Sequence, residues 1–529
     1  MPIRQYGRLR VPVLILAFLV GSAASPGITA APASDKAVSA GSFALALDEK
    51  MPGLLSKYDV PGAVVAYIQD GAVAWTKAYG VADCRTGRPL RPEAVFNFAS
   101  AAKALTAWGV MRLVETGNIE LDAPAERYLK RWHLPPSEFD ANEVTIRRLL
   151  SHTAGLTVNG YAGYNPRRRP LPTLKQVLEG QNQISGAVRV AWKPGDGYHY
   201  SGGGYTVLQM VIEDVTGELY ADYIRREVLA PLGLSGGWEW TAADLSAAPT
   251  PYGFRHDALP YYRFVTLGIG NYLDRVDGFA RFIAAAGPGP GGEPAGRGVL
   301  RPETLLLMMT PQPGTNKYYG LGYATEAFDD GTPYITHGGH SSGWCSIYAL
   351  APSLRSGVVF AAASDKAEPL KLSVLKQWAE AALGRHVAFD PKWLEPTTED
   401  PFGFFIAPAL ILAGVLGVIA ALTAWRLMAQ ASAGRRRLRL RPGATSLAAI
   451  VLWLFAGALW IYFFYTSLPI PLPPTVPEAS WPPELGWTTA GFMACALVSI
   501  VRAFFPKTKP TKPEAPPSQP RLTSRPLLC

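Results

Sequence analysis

The sequence predicts an α/β (α+β) fold, an antiparallel sheet flanked by helices with an inserted all-helical lobe, followed by transmembrane helices. Three observations carry this. Strand patterns gather at the two ends of residues 42–385, with helical patterns between them. A serine and a lysine stand three apart at the start of one helical run, Ser100-Ala101-Ala102-Lys103. After Asp400 the composition changes to long apolar stretches separated by basic or proline-rich loops.

Residues 1–31 read as a secretory signal peptide: Arg4, Arg8 and Arg10, then the apolar run Val11 to Val20, then small residues at Ala30 and Ala31. An amphipathic helix is expected around Phe43–Tyr58. Ala63–Ile68 and Ala72–Ala78 flank Asp70-Gly71 and predict a hairpin. The helix carrying Ser100 reads as the most amphipathic of the chain, and a largely helical stretch continues to about residue 240. Strands return at Pro333–Thr336, Trp344–Ala351 and Ser356–Ala363, before a helix at Leu370–Leu383. One sheet built from both ends of the domain follows, with an active site between it and the helical lobe.

Residues 404–428, 446–468 and 486–505 are each near the roughly 20 residues of a membrane span. The loop Arg435 to Arg441 and the tail from Lys507 are basic, whereas Pro469 to Leu485 contains no Lys or Arg. The positive-inside rule then predicts a multi-pass cytoplasmic-membrane protein whose domain at 42–385 lies on the periplasmic or extracellular side. Residues 506–529 read as a disordered basic tail. The net charge of +9 belongs to these flanks: outside residues 32–401, fifteen Lys and Arg stand against three Glu. That distribution excludes a nucleic-acid footprint and leaves the bilayer and a small-molecule or peptide substrate as expected partners.

The S-x-x-K tetrad is the main chemical signal. A serine hydroxyl needs a neighbouring base to become a nucleophile, and residues three apart on a helix share a face. Two later segments join it: Tyr198-His199-Tyr200-Ser201-Gly202-Gly203-Gly204, a glycine-rich turn entering a helix, and His337-Gly338-Gly339-His340 on a strand. A rival lies in Gly339-His340-Ser341-Ser342-Gly343, which fits the G-x-S-x-G elbow. That elbow must run from strand to helix, and the aromatic and β-branched residues after it predict a strand. With no H-E-x-x-H, no C-x-x-C, scattered histidines and no phosphate loop, no metal or cofactor is expected. Cys84 and Cys345 both fall in the exported part, where a disulfide and two free thiols are equally open.

The three motifs and their order resemble the serine β-lactamase and penicillin-binding protein family, in particular its class C and DD-peptidase-like branch. There they read S-x-x-K, Y-x-N and K-T-G or H-x-G. The likeness covers residues 42–385 and continues through Val81-Ala82-Asp83, Leu149-Leu150-Ser151-His152-Thr153, Pro231-Leu232-Gly233-Leu234 and Tyr319-Gly320-Leu321-Gly322. It implies Ser100 as nucleophile, Lys103 as a neutral base or as a cation beside a phenolate, and Tyr200 as proton relay, with Tyr198 its rival. His337 would contact substrate, and the N–H groups of Ser100 and of His340, after Gly339, would form the oxyanion hole. Arg147 and His152 match positions that look structural. The expected reaction is acyl transfer to water from a D-amino-acid peptide, a β-lactam or a small ester. A carboxylesterase of the same fold and a silent ligand-binding sensor are the alternatives.

Overall fold

The computed structural model describes residues 40–167, 170–181, 186–254, 256–387, 403–433, 451–456, 459 and 483–504. The signal peptide expected at 1–31, the arginine loop, most of the span at 446–468 and the tail at 506–529 lie outside them.

Nine strands form among the described residues: β1 (Gly62–Gln69), β2 (Ala72–Asp83), β3 (Arg88–Pro89), β4 (Val95–Asn97), β5 (Leu273–Arg275), β6 (Ala324–Ala327), β7 (Pro333–Ser341), β8 (Trp344–Ala351) and β9 (Ser356–Ala362). Seven make one antiparallel sheet in the order β3-β2-β1-β9-β8-β7-β6, while β4 and β5 pair separately. The two ends of the domain therefore meet at the β1–β9 pair, where Ala63 faces Ala362 and Ile68 faces Gly357.

Both faces of this sheet are covered, which is why β8 and β9 are buried throughout and mostly apolar instead of alternating. Side chains alternate across each strand. Val64, Ala66 and Ile68 of β1, Val359 and Ala361 of β9 and Tyr348 of β8 join the core beneath the helical lobe. Ala63, Val65 and Tyr67, with Val358, Phe360 and Ile347, join a second core. That second core is closed by the helices Ala40–Tyr58 and Glu368–Leu383 through Phe43, Leu47, Leu370, Val374 and Trp378.

Two expectations of the lobe need correction. The helix Lys103–Glu115 is not amphipathic: Lys103 to Met111 are all buried, so it runs through the core with no polar face to show. The lobe is also less helical than the pattern suggests. Beside the long helix Gly202–Thr216 it holds short helices and irregular chain, such as Ile146–Leu150 and Leu174–Leu178. Its many prolines and glycines stop longer helices from forming. Cys84 and Cys345 are free thiols, the first exposed and the second buried on β8.

The helices Gly403–Ser432 and Pro483–Phe504 pack together at Leu416, Ala420 and Cys495. Over the described residues no helix is long and apolar enough to cross a membrane.

Candidate active site

Ser100 lies in a 3₁₀ turn, Ala99–Ala102, that leads directly into the helix starting at Lys103. The turn is strained and clamped. Ala99 has φ +44°, a left-handed conformation costing a non-glycine residue about 1–3 kcal/mol. Its N–H donates to Asn97 Oδ1 at 2.8 Å, and its carbonyl accepts from the Asn271 N–H at 3.2 Å. Gly270, at φ +125°, passes so close that a Cβ there would lie 1.9 Å from the Ala99 oxygen. The β4–β5 pair fixes both walls of this clamp.

Lys103 reaches back under the serine. Its Nζ donates to Ser100 Oγ at 3.0 Å and to the Ile269 carbonyl at 2.8 Å. Among the described residues no carboxylate pairs with it, and burial pulls its pKa down to about 7. The Tyr200 ring centroid stands 4.9 Å from that Nζ. Burial raises the Tyr200 pKa above the usual phenol value, and its hydrogen bond with Ser100 only partly opposes this. Tyr200 is thus a neutral phenol in the free enzyme, and the titrating group near neutrality is the lysine.

Ser201 explains how Tyr200 is delivered. Its Oγ caps the helix Gly202–Thr216 by accepting from the Gly204 N–H at 2.9 Å. His152, with its ring 4.4 Å from that of Tyr200, accepts the Ser201 N–H at its Nδ1 at 3.1 Å. Burial first, then the Lys103 charge, hold the His152 pKa well below its usual value, so it is a neutral support for the tyrosine. Tyr198 packs edge-on to Tyr318 and to His152, on the wall of the same cavity.

β7 forms the opposite wall, and it runs on past His337 to Ser341 instead of ending there. His337 and Gly339 face the serine, while Gly338 and His340 face the other way. A Cβ on Gly339 would lie 2.1 Å from the Phe98 oxygen and 2.4 Å from Ser346 Oγ, so only glycine lets the strand press on the nucleophile turn. His337 Nδ1 donates to the Gly338 carbonyl at 2.7 Å, which leaves Nε2 as an acceptor. Burial, reinforced by Lys103, pushes the His337 pKa down to about 3. The side chain of His340 points away from the serine, toward Asp365 at 3.3 Å. Ser341 ends β7 and the chain turns straight into β8, pairing Ser341 with Trp344, so no strand-to-helix elbow exists there.

A cavity of about 100 Å³ opens beside Tyr200 and His337, walled by Tyr198, Tyr318, Tyr319 and Thr336. The motifs gave Ser100, Lys103, Tyr200 and His337; they gave neither Asn97, Gly270 and Asn271 nor the Ile269 carbonyl. The signal that could have found them is the Gly270-Asn271 pair, two residue types that tolerate the positive φ both adopt here.

A buried lysine under a serine that follows a strained residue, with a phenol beside it and a strand opposite, defines a serine hydrolase. The Beta-lactamase family model matches residues 47–383, and the chain belongs to that family. Esterase EstB of Burkholderia gladioli is 31% identical over 267 residues, which are 49% of this chain and 66% of the esterase. Penicillin-binding protein 4* of Bacillus subtilis is 29% identical over 182 residues, 34% of this chain and 38% of the relative. The chain thus spans between about two-fifths and two-thirds of these relatives. The octameric penicillin-binding protein homologue from Pyrococcus abyssi shares the fold, with a TM-score of 0.53 and 23% identity over 70% of this chain and 81% of that one.

Proposed function

We propose that the protein hydrolyses small uncharged carboxylic esters through an acyl-enzyme on Ser100. The observation that carries this reading is the amine of Lys103, about half neutral near pH 7 and 3.0 Å from the serine oxygen. Ser100 Oγ attacks the ester carbonyl carbon while its proton passes to Lys103 Nζ. The oxyanion is held by the N–H groups of Ser100 and His340. When the intermediate collapses, the leaving alkoxide takes the Tyr200 proton, and Tyr200 is reprotonated by the Lys103 ammonium. Water then repeats the sequence to release the acid.

Two features support an ester over a β-lactam. In the resembled family the second motif ends in Asn; here Gly202 stands there, and a Cβ on it would meet the Asn159 carbonyl at 2.6 Å. The third motif often supplies a cation for the substrate carboxylate; here His337 is neutral. Losing one charged hydrogen bond costs roughly 1.5–3 kcal/mol, or about one to two decades in specificity. The 31% identical relative is named an esterase.

The test compares kcat/KM for a neutral p-nitrophenyl ester and a cephalosporin from pH 6 to 8, with Ser100→Ala as the blank. The ester should be preferred by at least about tenfold, and the preference should not change with pH. An imidazole of ordinary pKa would become a cation toward pH 6 and favour the carboxylate, but one near 3 stays neutral. Efficient cephalosporin turnover overturns the ester reading. Full activity in Ser100→Ala removes the mechanism itself.

We infer further, from the sequence, that the domain is held outside the cytoplasmic membrane by the apolar segments after residue 400. Support comes from their length and from the asymmetry of Lys and Arg between their loops. Reporter fusions that are active only outside should give signal after Pro473 and none after Arg437 or Lys509. The opposite pattern inverts the topology.

A further inference from the structure

Behind β7, on the face turned away from Ser100, lies a second cluster of reactive side chains. His340 on β7 is paired with Cys345 on β8, so both side chains emerge on the same side of the sheet. The 3₁₀ turn Asp365–Ala367 and the helix Glu368–Leu383 bring Asp365, Glu368 and Lys371 against them. One donor atom each from His340, Cys345 and Glu368 lie within 4.8 Å of one another. We propose that this cluster is a structural site for a divalent transition ion of the Zn²⁺ type, bound by His340, Cys345 Sγ and Glu368, with Asp365 orienting the histidine.

Geometry supports it first. Bonds of about 2.0–2.3 Å to a tetrahedral ion place neighbouring donor atoms roughly 3.3–3.8 Å apart. One edge of such a tetrahedron is already present, Cys345 Sγ to Glu368 Oε2 at 3.5 Å, while Asp365 Oδ1 stands 3.3 Å from His340 Nε2 and orients the ring. The donor set, one sulfur, one imidazole and one carboxylate, suits Zn²⁺ and its congeners and not Mg²⁺ or Ca²⁺.

Charge supports it next. Lys371 Nζ pairs with the other oxygen of Glu368, Oε1, at 2.5 Å, which leaves Oε2 free for the ion. On binding, the Cys345 thiol loses its proton to solvent. The thiolate, two carboxylates and the Lys371 ammonium then balance a doubly charged ion. Access is open on one side, since the His340 side chain is 47% exposed while that of Asp365 is 7% exposed. Three protein donors leave one position for water, on the face of the sheet turned away from Ser100, so the ion would brace the strand and take no part in the reaction. It would tie β7, β8 and the helix Glu368–Leu383 together behind the oxyanion wall. None of this depends on the esterase reading.

The test uses the full chain, stripped with a chelator and titrated with Co²⁺ as a spectroscopic stand-in for zinc. One equivalent should bind and produce a thiolate-to-cobalt charge-transfer band with tetrahedral visible absorption. Zn²⁺ should displace it and raise the Tm. Cys345→Ser should lose the band and bind at least about tenfold more weakly, while Cys84→Ser keeps both. If Cys345→Ser fails to fold, the half-exposed His340→Gln should weaken binding by a similar factor. Absence of the band in the unaltered chain, or its loss in Cys84→Ser, overturns the proposal and leaves an ion-pair cluster only.

Discussion

Lys103 is where stability and chemistry conflict at the scale of a residue. An amine buried without a counter-ion costs the fold, because in water it would be charged. Its folded pKa of about 7 lies below the ordinary lysine value of 10.5, so the unfolded chain binds more protons between those two values. Stability therefore rises with pH across that window, and the cost is complete below it. Lys103→Met should raise the Tm, remove that slope, and lower kcat/KM at pH 7 by at least about a hundredfold. Thermal melts at several pH values and ester kinetics check it; a lower Tm with activity retained would show that the amine is only structural. The roles of Ser100 and Lys103 were legible in the sequence because a helix sets residues three apart beside each other. The depressed pKa was not, since it follows from burial on every side of that helix by segments distant in the chain.

At the scale of elements, the nucleophile turn shows what a local pattern misses. The strands β1, β8 and β9 could be read from apolar runs and the first hairpin from Asp70-Gly71. The pressure of β7 and of Gly270 on the turn could not, because those contacts join segments far apart in the chain. Likewise no spacing motif announced His340, Cys345, Asp365 and Glu368, which only the β7–β8 hairpin and the following helix bring together. The helical lobe was over-read for a related reason: proline and glycine end its helices, while tertiary packing holds the irregular segments. Gly270 gives the sharpest test of the clamp. A Cβ 1.9 Å from the Ala99 carbonyl cannot be relieved by a side-chain rotation, so Gly270→Ala must move backbone. It should cost up to about 3 kcal/mol of stability and lower kcat more than KM, because Ser100 is displaced while the tyrosine-lined cavity remains. Unchanged kcat would mean that the clamp does not position the nucleophile.

For the whole molecule, the two ends of the domain meet within the sheet at the β1–β9 pair, and this fixes what a folding unit must contain. Both hydrophobic cores of the hydrolase are made by residues from Phe43 to Val387, and among the described residues neither draws on one after that. The helix Ala40–Tyr58 is part of the unit, since Phe43 is 2% exposed and Leu47 0% exposed in the core behind the sheet. A fragment of residues 40–388 should therefore fold alone, hydrolyse a soluble ester at the rate of the full chain, and melt within about 4 °C of its hydrolase transition, the shift given by roughly 1 kcal/mol in a domain of this size. A fragment starting at 52 should not, because it exposes the apolar face of the Glu368–Leu383 helix and leaves β1 covered on one side only. If the 40–388 fragment were inactive while the full chain worked, the apolar segments after residue 400 would be completing the catalytic unit and not merely tethering it.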